Sequence, residues 1–222
     1  MLFCHPESEA KAARHRGLAK EKGVSGLPGI AFFDESGEVI LQIPPSEHSL
    51  AQFAQYERRA RQLLAWREAA QRGDPRAAAE LLIAQLEERQ LPREAAEKRR
   101  EALRDESADE RARLDALLLD LRIGEQLAAV HNDLEARRRL GEQFLKMLRG
   151  GTRPSPRVSR GLWFVIMEHC EATADVNGFV VGLDGLRGDV ARTAGGAAWG
   201  TRMIADYEQK LARLRTATGG GR

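Results

Sequence analysis

Cysteine is nearly absent from this sequence: Cys4 and Cys170 are the only two in 222 residues. That excludes a disulfide framework, a structural zinc site of four thiolates, and any Cys-x-x-Cys dithiol. Long apolar runs are missing too, since nothing approaches the roughly 20 residues of a membrane span. The start, MLFCHPESEAKAARHRG, has no basic segment leading into an apolar core, so the chain as written is expected to be soluble, without an export signal. Charge of one sign is also lacking. Thirty-five Lys and Arg stand against 33 Asp and Glu, a formal charge of +2, so no strong overall field draws the chain to nucleic acid or an acidic membrane. What is present is a globular mixture of 42% apolar and 31% charged residues, which excludes wholesale disorder.

Composition changes near residue 57. Before it, Gly and Pro punctuate short apolar segments; after it come long stretches of Ala, Leu, Glu and Arg, the strong helix formers. The expected fold class is therefore α+β and mostly α, with a small first module over residues 1–57. An irregular helical region over residues 58–222 follows it, with a sub-boundary or loop near 150–160. In the first module Glu7 to Lys22 reads as a helix, with Gly23 placed for a left-handed C-cap. Gly29 to Phe33 and Glu38 to Ile43 are extended apolar segments, and Asp34-Glu35-Ser36-Gly37 between them is turn chemistry, which predicts a β-hairpin. Ser49 and Gln52 form a capping box that opens the next helix.

Helix starts and stops remain legible further on. Asp74-Pro75 is an N-cap with proline at the first helical position, Leu91-Pro92 starts another helix, and Ser107 with Glu110 repeats the capping box. Asp133 to Leu148 is amphipathic and ends at Gly150-Gly151. Thr152 to Arg160, with two prolines and three arginines, is the best long-loop candidate. Helices are expected again over Leu162 to Ala174, Val176 to Val190 and Ala197 to Thr216.

The ordered string from Gly23-Val24 through Leu27-Pro28-Gly29, the Ile30 to Phe33 strand, the Asp34 to Gly37 turn and the Val39-Ile40 strand resembles the second half of a thioredoxin fold. The helices before and after it stand where that family has them. The resemblance covers about the first 57 residues. It implies that Pro28 occupies the family's cis-proline position, and that Leu27, Pro28 and Gly29 form the loop whose backbone pairs with an extended substrate segment. The departure is large, because the strands and the Cys-x-x-Cys of the first half are missing. Cys4 has no resolving partner. The Phe32-Phe33 strand then lacks the neighbours of a full sheet, leaving an edge for another chain or for the helical region.

Other chemistry-bearing residues read as structural. Trp163, Ile166, Met167, Cys170 and Ala174 share one helical face, which makes Cys170 a buried core thiol. His169 points about 100° away from it. His5, His15, His48 and His131 have no metal-ligand spacing, so no metal and no cofactor is expected. The clusters Arg58-Arg59-Arg61, Lys98-Arg99-Arg100 and Arg137-Arg138-Arg139 sit among glutamates, as on a solvated face, and nucleic-acid binding is not expected. Gly178, Gly182, Gly185 and Gly188 do not spell a dinucleotide fingerprint; close helix packing accounts for them better.

The expected function is a redox-inactive, truncated thioredoxin-like module with a helical extension, lacking catalytic residues of its own and binding or scaffolding a protein partner. Two alternatives stand beside it: a fragment of a thiol-disulfide oxidoreductase whose dithiol lies upstream of Met1, and a helical-repeat adaptor. The chain as written is expected in the cytoplasm, or exported should an upstream signal have been lost. In-frame DNA before Met1 encoding a Cys-x-x-Cys segment would establish the first alternative.

Overall fold

The computed structural model describes residue 21 and residues 30–44, 47, 49–192 and 197–219, the last of these without the side chains of 197–199. The expected helix from Glu7, apart from residue 21, and the Leu27-Pro28-Gly29 loop lie outside the described residues. Two strands and eight helices occur among the described residues, so the fold is α+β and mostly α. The chain divides into two compact units, Met1–Arg111 and Ala112–Arg222.

In the first unit, β1 (Ile30–Phe33) and β2 (Val39–Ile43) form the expected antiparallel hairpin. Phe32 lies opposite Leu41 while Phe33 lies opposite Val39, so Ile40 is an extra residue on β2. Such a bulge turns consecutive side chains out of strict alternation. The consequence is visible in the core, where Ile40 and Leu41 are both buried. Asp34 makes the turn: its Oδ1 accepts from the N–H groups of Ser36 and Glu38, both at 2.9 Å.

Helix α1 (Leu50–Gln71) starts at Ser49, whose hydroxyl accepts from the Gln52 N–H, and runs unbroken through residue 57. Next come α2 (Pro75–Glu87), capped by Asp74 with Pro75 in its first turn, and α3 (Arg93–Glu101). Ile40, Leu41, Ala60, Leu63 and Ala84 form one buried cluster that joins β2, α1 and α2, with Phe32, Tyr56 and Trp66 against it. Two polar contacts pin the hairpin at its rim. Arg67 of α1 meets the free Oδ2 of Asp34 at 2.5 Å, and the Gln90 amide donates to the Ile40 carbonyl at 2.7 Å. The Gln90 contact falls on β2, not on the Phe32-Phe33 strand whose open edge was expected.

Helix α4 (Ala108–Ala129) opens with a reciprocal box: Ser107 Oγ accepts from the Glu110 N–H, and Glu110 accepts from the Ser107 N–H. In the second unit, α5 (Leu134–Arg149), α6 (Pro156–Thr173), α7 (Val176–Arg192) and α8 (Ala197–Gly219) pack in chain order, each against the next. Phe144, Leu162, Ile166, Met167, Cys170, Phe179, Leu183 and Leu186 are the heart of its core.

Glycines let these helices approach. A Cβ at Gly141 would lie 2.0 Å from the Val165 carbonyl oxygen, and one at Gly182 2.8 Å from Met167 Cγ. Gly178, Gly182 and Gly185 of α7 therefore serve packing, as their spacing suggests, while Gly188 makes no such close approach.

The long loop expected over Thr152 to Arg160 needs correction, because α6 begins at Pro156. Ser155 is its N-cap, and Asp120 of α4 holds that cap by accepting from the Ser155 N–H at 2.9 Å and from its hydroxyl. Ser155-Pro156 is the same start signal as Asp74-Pro75. Ala174 is a second correction. It stands exposed at the left-handed C-cap of α6, with φ 56°, rather than on the buried face.

Candidate functional site

The residues singled out by the sequence are not brought together. Leu27, Pro28 and Gly29 lie outside the described residues, as do Cys4, His5, His15 and His48. Cys170 is fully buried between α6 and α7, and burial, with Asp175 nearby, pushes its thiol up to about 12. A thiol so protected is protonated at neutral pH and is no nucleophile. Among the described residues no group of three or more His, Cys, Asp or Glu is placed to hold a metal, and no helix is long and apolar enough to cross a membrane. The arginine clusters are partly spent on carboxylates: Arg61 on Glu57, Arg59 on Glu87, Arg137 on Glu168 and Arg138 on Glu135.

A cleft of about 500 Å³ in the second unit gathers functional groups that sequence reasoning did not connect. Its cations come from three segments. Arg149 ends α5; Gly151, with φ 87°, then turns the chain so that Arg153 follows in the short connection to α6; Arg192 ends α7. Trp163 and Leu148 lie beneath, Val181 and Asp184 line the α7 side, and Gly185 and Gly188 leave that wall low. The indole sits against the α7 backbone because Gly185 has no side chain; a Cβ there would lie 2.6 Å from the ring.

The cleft is built on an anchored carboxylate. Asp189 is 5% exposed. Its Oδ2 accepts from Trp163 Nε1 at 2.7 Å and from the Ser159 hydroxyl, and its Oδ1 meets Arg192 Nη2 at 2.5 Å. A buried carboxylate survives because it is paired and hydrogen-bonded on both oxygens. It in turn fixes Arg192, whose side chain is still 61% exposed and has N–H donors to spare.

Arg149 is oriented in the same way. Asp175 accepts from the Gly178 N–H at 2.9 Å and from Arg149 Nη2 at 3.1 Å. The Gly178 hydrogen bond and the guanidinium hold its carboxyl below the usual range. Among the described residues, Arg153 has no hydrogen-bond or ion-pair partner and is exposed.

The first unit has a cleft of about 380 Å³ lined by Tyr56, Arg58, Arg59 and Glu88. Arg59 there is spent on Glu87 and on the face of Trp66, with 5.5 Å from guanidinium to ring centre. Among the described residues no buried carboxylate underlies it, so the cleft of the second unit is the better formed. Its sequence signal was faint. Arg149, Arg153 and Arg192 are 43 residues apart at the extremes, and only the α5–α6–α7 packing joins them. Comparison with protein-family models, with curated proteins and with solved structures finds no match.

Proposed function

We infer that this chain is a non-catalytic binding module, in which a thioredoxin-like hairpin piece is joined to a helical unit that holds a protein partner. The observation that carries the reading is the cleft of the second unit, where Arg149 and Arg192 are held in place by anchored carboxylates and Arg153 stays unspent. Preorganised donors on rigid helix ends suit recognition, because little side-chain freedom remains to be lost on binding. The thioredoxin-like part rests on the ordered string of features around Pro28 and on a hairpin followed by a helix, which is consistent with it. The one described thiol, Cys170, is buried and protonated, so it offers no reactive sulfur.

Two measurements test the reading. In an insulin-reduction assay the chain should be no faster than buffer, and dithiol turnover would refute a redox-inactive module. A photo-crosslinking residue in place of Thr152, the exposed neighbour of Arg153, should join the chain in cells to a defined protein identified by mass spectrometry. Gly188→Leu, which fills the cleft, should abolish that product. No product at position 152, or a product indifferent to the filled cleft, overturns binding through this site.

A further inference from the structure

We propose that the cleft between the ends of α5 and α7 takes a single carboxylate of a protein segment, with an apolar side chain beside it. The proposal rests on the binding-module reading and names what that module recognises. Charge decides between ligand classes. Arg149 is matched by Asp175 and Arg192 by Asp189, while Asp184 shares Arg187, at 2.7 Å, with Glu208 at 2.5 Å and so keeps part of its charge. Arg153 alone has no partner among the described residues, and the part-compensated Asp184 in the wall repels a phosphate dianion more strongly than a single carboxylate. Guanidinium donors not used internally remain on Arg149 and Arg192, and both side chains are more than half exposed, at 58% and 61%. They present planar forks of the kind that pair with carboxylates.

The apolar half of the ligand is read from the rest of the lining. Val181 is 43% exposed, one of few large apolar side chains left so, and it stands on the same cleft as Leu148 and Trp163. An aliphatic side chain next to the carboxylate would cover Val181 while the carboxylate reaches Arg153. The low wall at Gly188 makes room for it. A Cβ there meets nothing nearer than the Arg192 guanidinium at 3.8 Å, so a longer side chain at 188 grows into the cleft without disturbing the helices.

The test is a titration of the full chain, followed by the NMR shift of the Trp163 indole N–H, with a capped Ala-Leu-Glu-Ala peptide as probe at physiological ionic strength. Saturable shifts are expected, and the Ala-Leu-Gln-Ala peptide should bind about tenfold more weakly, the typical loss of a charge-assisted contact. Arg153→Ala, at an exposed position without partners, cannot act through folding and should weaken binding about fivefold or more. Gly188→Leu should abolish it. Equal affinity for the two peptides, an Arg153→Ala chain that binds as well, or tighter binding of inorganic phosphate than of the Glu peptide overturns the carboxylate assignment. If the cleft-dependent cross-link at position 152 persists in any of those cases, the binding-module reading stands and only the ligand class falls.

Discussion

The two units hold themselves together by different means. In the first, small and medium apolar side chains form the seam between β2, α1 and α2, and the notable polar contacts sit at the rim, where Asp34 meets Arg67 and Gln90 meets the Ile40 carbonyl. In the second, the helices close to backbone contact at glycines, large side chains fill the core, and the polar groups lie inside it, at Asp189, Ser159 and Asp120. Rim contacts are partly solvated and replaceable. Buried ones are not, because removing one partner leaves the other without water or protein to bond. The second unit is thus the one suited to hold a site rigid, and it is where the anchored cleft occurs.

The largest expected effect separates the units at their glycines. Gly141→Ala places a Cβ 2.0 Å from a backbone oxygen of α6, so α5 and α6 must part. Overpacking of this kind costs about 1 to 3 kcal/mol, more where backbone must move. Gly73→Ala in the first unit meets nothing within 4 Å and suffers only from its φ of +90°, a penalty of about 1 to 2 kcal/mol. Urea unfolding of the two variants should rank them in that order, and equal losses would erase the distinction.

Comparable in size is the loss of the buried carboxylate. Asp189→Ala strands the Trp163 indole N–H and the Ser159 hydroxyl in the core, each at about 1 to 3 kcal/mol. Arg67→Ala at the hairpin rim removes a partly solvated pair, worth about 1 kcal/mol or less. Should the Arg67 variant prove the weaker protein, the hairpin is held by its rim and not by its apolar seam.

Legibility followed the same division. Starts and stops were readable wherever a local motif acts alone: Ser49 with Gln52, Asp74-Pro75, Ser107 with Glu110, and the Asp34 to Gly37 turn all sit where the sequence puts them. Ser155-Pro156 carried the same signal, but the surrounding prolines and arginines read as loop; Asp120, 35 residues earlier, fixes that cap. Cys170 was readable from its helical face because its neighbours are apolar at the right spacing. Asp189 was not. Nothing local marks a carboxylate as buried when the indole and hydroxyl that satisfy it stand 26 and 30 residues away. The register bulge at Ile40 was equally invisible, since an alternating strand and a bulged one share a composition.

Cys170 offers a smaller and sharper probe of the second unit's interior. In a Cys4→Ser background it should react with a disulfide reagent only as the chain unfolds, and prompt labelling in native buffer would show the α6–α7 seam to be open. Its raised thiol pKa also sets a sign. The folded state keeps the proton that the unfolded state releases above the ordinary value of 9.0, so this contribution is intact below that value. It is lost as the pH rises towards about 12. Cys170→Ser should flatten that alkaline decline while leaving the acid limb unchanged.

The smallest effect expected is a gain, and it lies at the join of α6 and α7. Ala174 occupies the left-handed region at φ 56°, where a Cβ crowds the backbone, yet its neighbours fix the turn: the Asp175 N–H donates to the Cys170 carbonyl at 2.9 Å. A glycine at this position would adopt that φ freely, at the cost of a more flexible unfolded chain, and relief of the left-handed strain outweighs that cost. Ala174→Gly should therefore stabilise the chain by about 0.5 to 1 kcal/mol, seen as a small rise in the urea midpoint without a change of slope. The position is exposed, so nothing is gained or lost in packing. A drop in stability would mean that the turn is not fixed by its neighbours and that the α6–α7 pair, with the cleft built on it, is less rigid than its hydrogen bonds indicate.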